Sequence, residues 1–447
     1  MTQIELLRED YEDALRGLVA IPSVSSSDEG GDCRRCAEAA AALIRRFGGE
    51  ARIIETGGLP GVHGRIRSGS GAPKVVIYNH LDVQPAPVEG WSIPDPFLME
   101  IRDDGTYLGR GTTDDKGPAL AALFGAVLAG RAGTPVDVEL IWELEEEIGS
   151  PSFGPLLDAL PAGPRPDVVA VSDTIWVSTN KPAMPYGLRG VLTFYLRLET
   201  SSGGPTHSGL TGGLARNPFA EIASLVSQCA DARTGAILIP GVYDDVRPLD
   251  DEEREGFAAS GWSAEAFRTA HRLNSLRSDD PADAMERIWA RPTFELHGIT
   301  GGYEGPGIMT AVPPRAEAKC SMRLVPDQKP ERIFELVRTF VAQRNPDVEV
   351  VFDAKLEPFL GPRTGRYAEA AAAAVESAFG VRPAFTREGG SIGAVVTMQE
   401  KLGAPIVLMG LSLPEHNYHG VDENFSWRQA SRGMVMFRGF LGRVAGL

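Results

Sequence analysis

The order of apolar and polar residues over positions 1–187 predicts strands and helices in alternation. Apolar residues recur at helical spacing over residues 4–19, and the continuous apolar run at 74–78 is typical of a strand buried on both faces. The next helix is predicted at 118–129, with Pro118 at its first position. This alternation is typical of an α/β domain in which helices cover a parallel or mixed sheet. Two further strands are predicted at 136–142 and 167–171.

The pattern changes near residue 188 and returns to its first form after residue 362. Between these points the predicted order is β-α-β-β-α-β, the ferredoxin-like split arrangement. A polar stretch at about 240–290 interrupts this unit, and we expect it to be a surface elaboration. The predicted elements are strand 191–198, helix 218–229 capped by Asn217, strands 293–296 and 316–324, helix 330–343 and strand 348–352, then helix 367–379, strand 405–408 and helix 427–444.

These patterns predict two domains in a chain of 447 residues. The larger domain is discontinuous and consists of residues 1–187 and 363–447, and the smaller domain, 188–362, is inserted into it. Hydrophobic residues make up 43% of the chain and charged residues 23%, as expected for a globular protein with a substantial core.

Composition narrows the classes of partner. The formal net charge of −16 argues against nucleic-acid binding, which requires a basic face to neutralise phosphates. The apolar stretch at 118–130 is too short to span a bilayer, and the N-terminus lacks the apolar segment of a signal peptide. We therefore expect a cytoplasmic protein with no membrane partner.

Cys33 and Cys36 fit a helical pattern, where a structural role is the simpler interpretation and a redox role the alternative.

Acidic and histidine residues follow the predicted strands, at the edge where open α/β sheets bind ligands. Any one of them alone would more often be a solvated or hydrogen-bonded structural residue. Several on one edge indicate a site, and imidazole and carboxylate groups without a cysteine cluster favour catalytic zinc. One carboxylate can bridge two metal ions. The residues are His80 and Asp82 in YNHLDV, Asp114 in GRGTTDDKG, Glu146 and Glu147 in LEEEIGS, and Asp173 in VVAVSD.

The motifs HLD, GRGTTDDKG, EEEIGS, VSD and LPEHNYHGVDENF occur in one order over nearly the whole chain. Together they resemble the dinuclear-zinc metallopeptidase family of carnosinase, glutamate carboxypeptidase, aminoacylase and succinyl-diaminopimelate desuccinylase. The last motif and YGLRG look most like the bacterial dipeptidase branch. The resemblance implies an α/β catalytic domain, an inserted lid and dimerisation domain, and two Zn²⁺ ions per subunit, with Mn²⁺ or Co²⁺ as alternatives.

The resemblance also implies a role for individual residues. Asp82 would orient the His80 ring, and Glu146 would be the general base that takes a proton from the attacking water. The Asp114–Asp115 peptide would be cis. One metal would be held by His80, Asp114 and Asp173, and the other by Asp114, Glu147 and His419, with His416 as a rival for His419.

Further roles concern the substrate. His207, in PTHSG, would reach the active site of the other subunit of a homodimer and stabilise the oxyanion, although Pro205 stands where the family has Asp. Arg323, Ser391 and Thr310 would bind the free carboxylate of the substrate. We also expect the first strand of the inserted unit to pair edge to edge with its twin in the dimer.

These observations predict an enzyme that hydrolyses an amide bond in dipeptides or short peptides with a free C-terminal carboxylate. The first alternative is an N-acyl amino acid deacylase, which would use the same chemistry on a substrate without a free amino group. The second is a binding protein that has lost catalysis. The presence of Glu146 and of all five expected metal ligands argues against the second alternative.

Overall fold

The computed structural model describes residues 4–67 and 71–447. Its largest sheet has six strands in the order β1-β2-β6-β3-β7-β17. The strands β6, β3, β7 and β17 run parallel, whereas β2 is antiparallel to both of its neighbours, β1 and β6, so the sheet is mixed as predicted. These strands are β1 (Glu50–Ile54), β2 (Gly61–Ile66), β3 (Lys74–His80), β6 (Asp137–Glu143), β7 (Val168–Val171) and β17 (Ile406–Leu408).

Helices pack on both faces of this sheet. Between the sheet and α13 lies α3, which is buried along almost its whole length. The close approach needs small residues, because a Cβ on Gly125 would lie 2.6 Å from the Phe437 side chain. The helices are α1 (Arg8–Val19), α2 (Asp32–Arg46), α3 (Lys116–Arg131), α4 (Phe153–Asp158), α11 (Arg366–Phe379), α12 (Gly393–Leu402) and α13 (Trp427–Ala445).

The helix α3 begins two residues before the predicted start at Pro118. Its first residue is Lys116, whose buried ammonium group donates hydrogen bonds to the carbonyl oxygens of Leu18 and Ile21, each at 2.9 Å. Proline is tolerated throughout the first helical turn, because those N–H groups have no partner inside the helix. The position of Pro118 therefore predicted the first turn of α3 correctly, but not the residue at which the helix begins.

The inserted unit has the predicted β-α-β-β-α-β order, with its strands arranged β11-β13-β9-β14. Side chains alternate between buried and exposed along β9, and the two helices cover the buried face. Because β9 lies between β13 and β14, the expectation that this first strand offers a free edge is wrong. The elements are β9 (Gly190–Glu199), α6 (Pro218–Cys229), β11 (Thr293–Thr300), β13 (Arg315–Leu324), α10 (Pro330–Arg344) and β14 (Glu349–Leu356).

The remaining strands are short and form three small sheets. In one small sheet β8 lies between β15 and β16, and other strands form the pair β10-β12 and the set β18-β5-β4. The buried apolar cluster of the inserted unit runs from Leu192 to Val348 and is separate from the core around the large sheet. These strands are β4 (Glu100–Ile101), β5 (Thr106–Leu108), β8 (Ala183–Leu188), β10 (Thr206–His207), β12 (Ala311–Val312), β15 (Phe359–Leu360), β16 (Ala384–Glu388) and β18 (Asn424–Ser426).

The 240–290 segment is helical and partly buried, so the expectation of a mere surface elaboration is wrong. Phe257, Met285 and Trp289 form an apolar cluster with Tyr186 of the small connecting sheet. The segment contains α7 (Asp251–Ala258), α8 (Ala264–Ala270) and α9 (Pro281–Trp289), and the remaining helix is α5 (Ser208–Thr211).

Among the described residues, no helix combines the length and apolar character needed to cross a membrane. Cys33 and Cys36 are buried on α2, and burial raises the pKa of both thiols, which favours the structural interpretation of these residues.

Candidate metal centre and active site

Three parallel strands of the large sheet bring three of the predicted ligands, His80, Glu147 and Asp173, to one edge. The last residues of β3 and β6, His80 and Glu143, are paired in register, and β7 lies on the other side of β3. A short 3-10 helix, Glu146–Ile148, follows β6, and Asp173 lies two residues beyond β7. The carboxyl ends of adjacent parallel strands therefore converge on one site, as expected for this class of sheet.

Five side chains form two ligand groups that share Asp114. The donor atoms within each group lie within 4.8 Å of one another. In the first group, His80 Nε2 lies 2.8 Å from Asp114 Oδ1 and 4.0 Å from Asp173 Oδ1. In the second, His419 Nε2 lies 2.9 Å from Asp114 Oδ2 and 3.3 Å from Glu147 Oε2. The two oxygens of Asp114 thus face different groups, which is the arrangement of a bridging carboxylate.

A buried glutamate holds the loop that carries Asp114. Glu423 accepts hydrogen bonds from the backbone N–H groups of Gly111 (3.0 Å), Thr113 (2.9 Å) and Asp114 (3.1 Å). It also accepts a hydrogen bond from the Arg110 guanidinium at 2.7 Å. This contact joins the loop to the C-terminal motif that carries His419, so two distant parts of the chain are fixed together.

Asp82 links the first ligand group to the two glutamates. The Asp82 Oδ1 atom lies 3.3 Å from His80 Nδ1, on the side of the ring away from Asp114. The same carboxylate accepts the backbone N–H groups of Glu146 at 3.2 Å and Glu147 at 3.0 Å. One buried residue therefore fixes the orientation of the ring and the position of the turn that presents both glutamates.

Two other contacts complete the frame. The peptide between Asp114 and Asp115 is cis, as predicted. Asn79 Nδ2 donates to Asp115 Oδ2 at 2.7 Å, and Asp115 belongs to neither ligand group. The hydroxyl group of Tyr418 donates to Asp173 Oδ1 at 2.8 Å, from the residue before His419.

The electrostatics of the cluster favour a bound cation. Burial, and then the charges of neighbouring carboxylates, raise the pKa of Asp173 to about 6 and raise the pKa of Glu146 well above its usual value. Burial would lower the pKa of His419, but its contacts with Asp114 and Glu147 outweigh burial and raise that pKa to about 10. Without a cation, protons are needed to offset the charge of the crowded carboxylates.

The unsatisfied atoms lead to the same conclusion. Glu147 Oε1 is buried and has no hydrogen-bond partner within residues 4–67 and 71–447. A buried carboxylate oxygen without a partner is costly, and a divalent cation removes that cost. Two imidazoles and three carboxylates suit zinc, manganese or cobalt. The residues present therefore fit a metal.

Comparison with known proteins identifies the family. The sequence profile of peptidase family M20/M25/M40 matches residues 76–443. The chain belongs to this family. It is a metallopeptidase, and the matched region spans both the ligand groups and the inserted unit.

Relatives and solved structures agree with this assignment. The chain is 31% identical to Cys-Gly metallodipeptidase DUG1 of Candida albicans over 98% of this chain and 95% of that protein. It is 32% identical to human Beta-Ala-His dipeptidase over 83% of this chain and 75% of that protein. An M20 family metallo-carboxypeptidase from Sulfolobus solfataricus superposes with a TM-score of 0.88 at 28% identity, covering 98% of this chain and 100% of that one. These relatives do not single out a bacterial branch.

The second histidine of the C-terminal motif has a structural position in this metallopeptidase. His416 is buried, and its Nδ1 atom lies 2.9 Å from Thr113 Oγ1 and accepts the backbone N–H of Leu413 at 3.1 Å. Burial lowers the pKa of His416 to about 3, so the ring is neutral. It belongs to neither ligand group, whereas His419 belongs to one.

The predicted carboxylate-binding residues of the metallopeptidase fall into two places. Arg323 Nη1 donates to Ser391 Oγ at 2.8 Å, so this pair is assembled within one chain. The carbonyl oxygen of Thr310 instead accepts the backbone N–H and the hydroxyl group of Ser208, each at 3.0 Å. Thr310 therefore lies beside His207, on an exposed part of the inserted unit.

Sequence reasoning missed Arg189, in YGLRG, which supports the Arg323–Ser391 pair. Its backbone N–H donates to the Gly390 carbonyl at 3.0 Å, its Nε donates to the Gly389 carbonyl at 3.0 Å, and its carbonyl oxygen accepts the Ser391 hydroxyl. Burial, and then the nearby charge of Arg323, lower the pKa of Arg189 to about 10. Two close guanidinium groups create a local positive potential in an acidic protein, which favours an anionic ligand.

Tyr418 and Glu423 were also missed. Both lie in the motif LPEHNYHGVDENF, from which only the two histidines were considered as functional residues. A glutamate is rarely buried unless it is paired. A glutamate within a motif that also supplies a metal ligand therefore indicates a structural contact, and this applies to Glu423. Nothing in the local pattern distinguishes Tyr418 from an exposed loop tyrosine.

Proposed function

We propose that this metallopeptidase is a dinuclear dipeptidase that hydrolyses the peptide bond of dipeptides with a free C-terminal carboxylate. The observation that carries the proposal is the pair of ligand groups sharing Asp114, next to Glu146. The similarity to a fungal Cys-Gly metallodipeptidase and a human Beta-Ala-His dipeptidase supports dipeptides as the substrate class. The domain boundaries at 187/188 and 362/363 form part of this proposal, with the inserted unit as lid and dimerisation domain.

In this proposal, His80, Asp114 and Asp173 would hold one divalent ion, and Asp114, Glu147 and His419 would hold the other. Bound ions of this kind polarise a carbonyl group and make water a stronger nucleophile. Zinc is the proposed metal, with manganese and cobalt as the alternatives that the same ligands accept.

Glu146 is the proposed general base. Its backbone is fixed by Asp82, and its carboxylate lies close enough to Asp173 and Asp114 for their charges to raise its pKa. It takes a proton from the attacking water and later delivers that proton to the leaving amine. Arg323 and Ser391, supported by Arg189, hold the substrate carboxylate and so align the peptide bond with the ligand groups.

The test of the substrate class is a panel of free-amino dipeptides, their N-acetyl and N-succinyl counterparts, single amino acids with the same acyl groups, and longer peptides. Free dipeptides should be hydrolysed fastest by the metal-loaded protein. Faster turnover of N-acylated amino acids would favour the deacylase alternative, and turnover of long peptides one residue at a time would favour a carboxypeptidase. No turnover of any substrate by metal-loaded protein would favour a binding protein.

If Arg323 and Ser391 bind the substrate carboxylate, converting that carboxylate to an amide should lower kcat/KM. An amide at the substrate C-terminus should lower kcat/KM by about 10- to 100-fold, because a hydrogen bond to a charged group contributes about 1.5–3 kcal/mol. In Arg323→Gln, kcat/KM for the free substrate should fall by a similar factor. Amidation of the substrate should then lower kcat/KM of this variant only slightly further. Arg315→Gln, on an exposed position of the same strand, is the matched control. Equal rates on free and amidated substrates in the unmodified protein would remove Arg323 from this role.

The proposed active unit is a homodimer in which His207 serves the site of the neighbouring chain. His207 is exposed in the single chain and belongs to neither ligand group. Around it and Thr310 lie several large apolar side chains that face solvent, and contact with a second copy would bury them. They are Leu210 (85% exposed), Leu214 (92%), Ile308 (93%) and Met309 (49%).

We expect His207→Ala to bind its metals and lose about 10²–10³-fold in kcat, the usual effect of removing one oxyanion donor. His297→Ala is the control, because that histidine lies on β11 of the same unit, where its ring contacts the Ser321 hydroxyl at 2.7 Å. Mixing His207→Ala with Glu146→Gln protein gives a sharper test. Each mixed dimer would contain one site with both residues intact, so activity should return on subunit exchange. Verified exchange without recovered activity would place His207 outside the partner's site.

A further inference from the structure

The 240–290 segment is fixed to strands β8 and β16 of one small sheet. Its Glu253 is 6% exposed, accepts the Tyr186 hydroxyl at 2.6 Å and forms an ion pair with Arg387, which is 2% exposed. The rings of Phe257 and Trp289 meet edge to face at 4.8 Å. A buried ion pair and an aromatic cluster therefore hold the segment in place.

A cavity of about 480 Å³ lies between this segment and the loops of the metal centre. The volume is within the range of small-molecule sites. Residues outside the segment, among them Ile175, Glu388 and Tyr418, also line the cavity. The apolar lining consists mainly of Trp262, Phe267, Met285, Ile288 and Trp289 from the segment, with Trp176 opposite.

The cavity borders the proposed active site. Tyr418, which lines it, donates its hydroxyl hydrogen bond to the ligand-group residue Asp173 at 2.8 Å. Ile175, which also lines it, follows Asp173 by two positions. Arg323 and Ser391 are not part of the lining, although Gly389 and Gly390, the two residues before Ser391, are. A dipeptide whose carboxylate is held by Arg323 and whose peptide bond lies at the ligand groups has its C-terminal residue between those two points, which leaves its N-terminal side chain to occupy the cavity beside Tyr418.

The lining decides which side chain fits. Most of its area comes from aromatic and aliphatic groups, and the rings of Trp262 and Phe267 lie 5.8 Å apart. The Arg387 charge is compensated by Glu253, so this arginine attracts an acidic side chain only weakly. Glu388 Oε2 is buried without a hydrogen-bond partner in the described chain, so a basic side chain is the rival occupant.

We propose that this cavity receives the N-terminal side chain of the substrate and selects large apolar, above all aromatic, residues. The inference rests on the proposed dipeptidase function and adds the substrate class. It also assigns a role to the 240–290 segment, which supplies most of the cavity's apolar wall.

The test is a series of dipeptides X-Gly in which X is Ala, Leu, Phe, Trp, Lys or Glu. Phe-Gly and Trp-Gly should exceed Ala-Gly in kcat/KM by about 10- to 100-fold, the range that burial of one large apolar side chain gives. Trp262→Ala and Phe267→Ala should each lower the Phe-Gly to Ala-Gly ratio by about tenfold. The ratio is independent of the folded fraction, so a variant that folds poorly still reports on the cavity.

Phe47→Ala is the matched control. It removes an aromatic side chain that packs on Phe124, with ring centroids 4.6 Å apart, in the core away from the cavity. This variant should change both rates equally and leave the ratio unchanged.

A preference for Lys-Gly or Glu-Gly, an equal rate on all X-Gly, or an unchanged ratio in both cavity variants would overturn the inference and leave the dipeptidase function standing. Turnover of N-acyl amino acids without turnover of any X-Gly would overturn the proposed function itself, and the cavity assignment with it.

Discussion

Replacing Asp114 with alanine should remove metal from both ligand groups and abolish hydrolysis. Its two carboxylate oxygens face His80 on one side and His419 on the other. Replacing a ligand that belongs to only one group should therefore have a smaller effect on metal content. Loss of both ions should lower kcat/KM by about 10⁴-fold or more, since each ion contributes several kcal/mol to the transition state.

The control variants for this prediction affect one group at a time. Asp173→Ala should weaken one metal equivalent, and Glu147→Ala should weaken the other, because each residue belongs to one group only. Elemental analysis after dialysis measures the metal per chain, and thermal unfolding checks that each variant is folded. Retention of two equivalents by folded Asp114→Ala protein would show that this carboxylate is not shared.

Glu146→Gln should keep the metals and lose turnover. The amide has the shape of the carboxylate but accepts no proton, so kcat should fall by about 10²–10⁴-fold while KM changes little. Glu145→Gln is a close control, because the preceding carboxylate is also buried but faces away, accepting the backbone N–H groups of Leu59 at 2.8 Å and Ser152 at 2.9 Å.

Metal content, kcat and KM should be measured on the same preparations. A Glu146→Gln protein that keeps more than about half of the wild-type kcat would exclude Glu146 as the base. A large loss in Glu145→Gln, with metals retained, would move that role to the neighbouring residue.

The sequence was sufficient for the parts of the fold and site that depend on local pattern. Strand ends are marked where an apolar run stops, so the order of the residues was enough to place His80 and Asp173 at one sheet edge. The alternation along β9 and β13 likewise predicted the split βαβ unit. The close approach of Asp114 and His419, far apart in sequence, came from the resemblance of their motifs and not from periodicity.

Other features depend on tertiary contacts that local pattern does not contain. The order of strands in a sheet is one example, and for this reason β9 was wrongly expected at an edge. The role of Arg189 depends on contacts with residues 389–391, about two hundred positions away. The polar face of the 240–290 segment dominates its composition, so its buried residues Met285 and Trp289 gave no sign of a cavity wall.

The central claim is that dipeptide hydrolysis depends on two metal ions held by the groups that share Asp114. Its most direct test is to remove metal with a chelator, add zinc back in known amounts, and follow both bound metal and turnover of a good dipeptide. The account predicts no turnover in the metal-free protein and full recovery as binding approaches two equivalents per chain. Undiminished turnover by protein shown to contain no transition metal would contradict it.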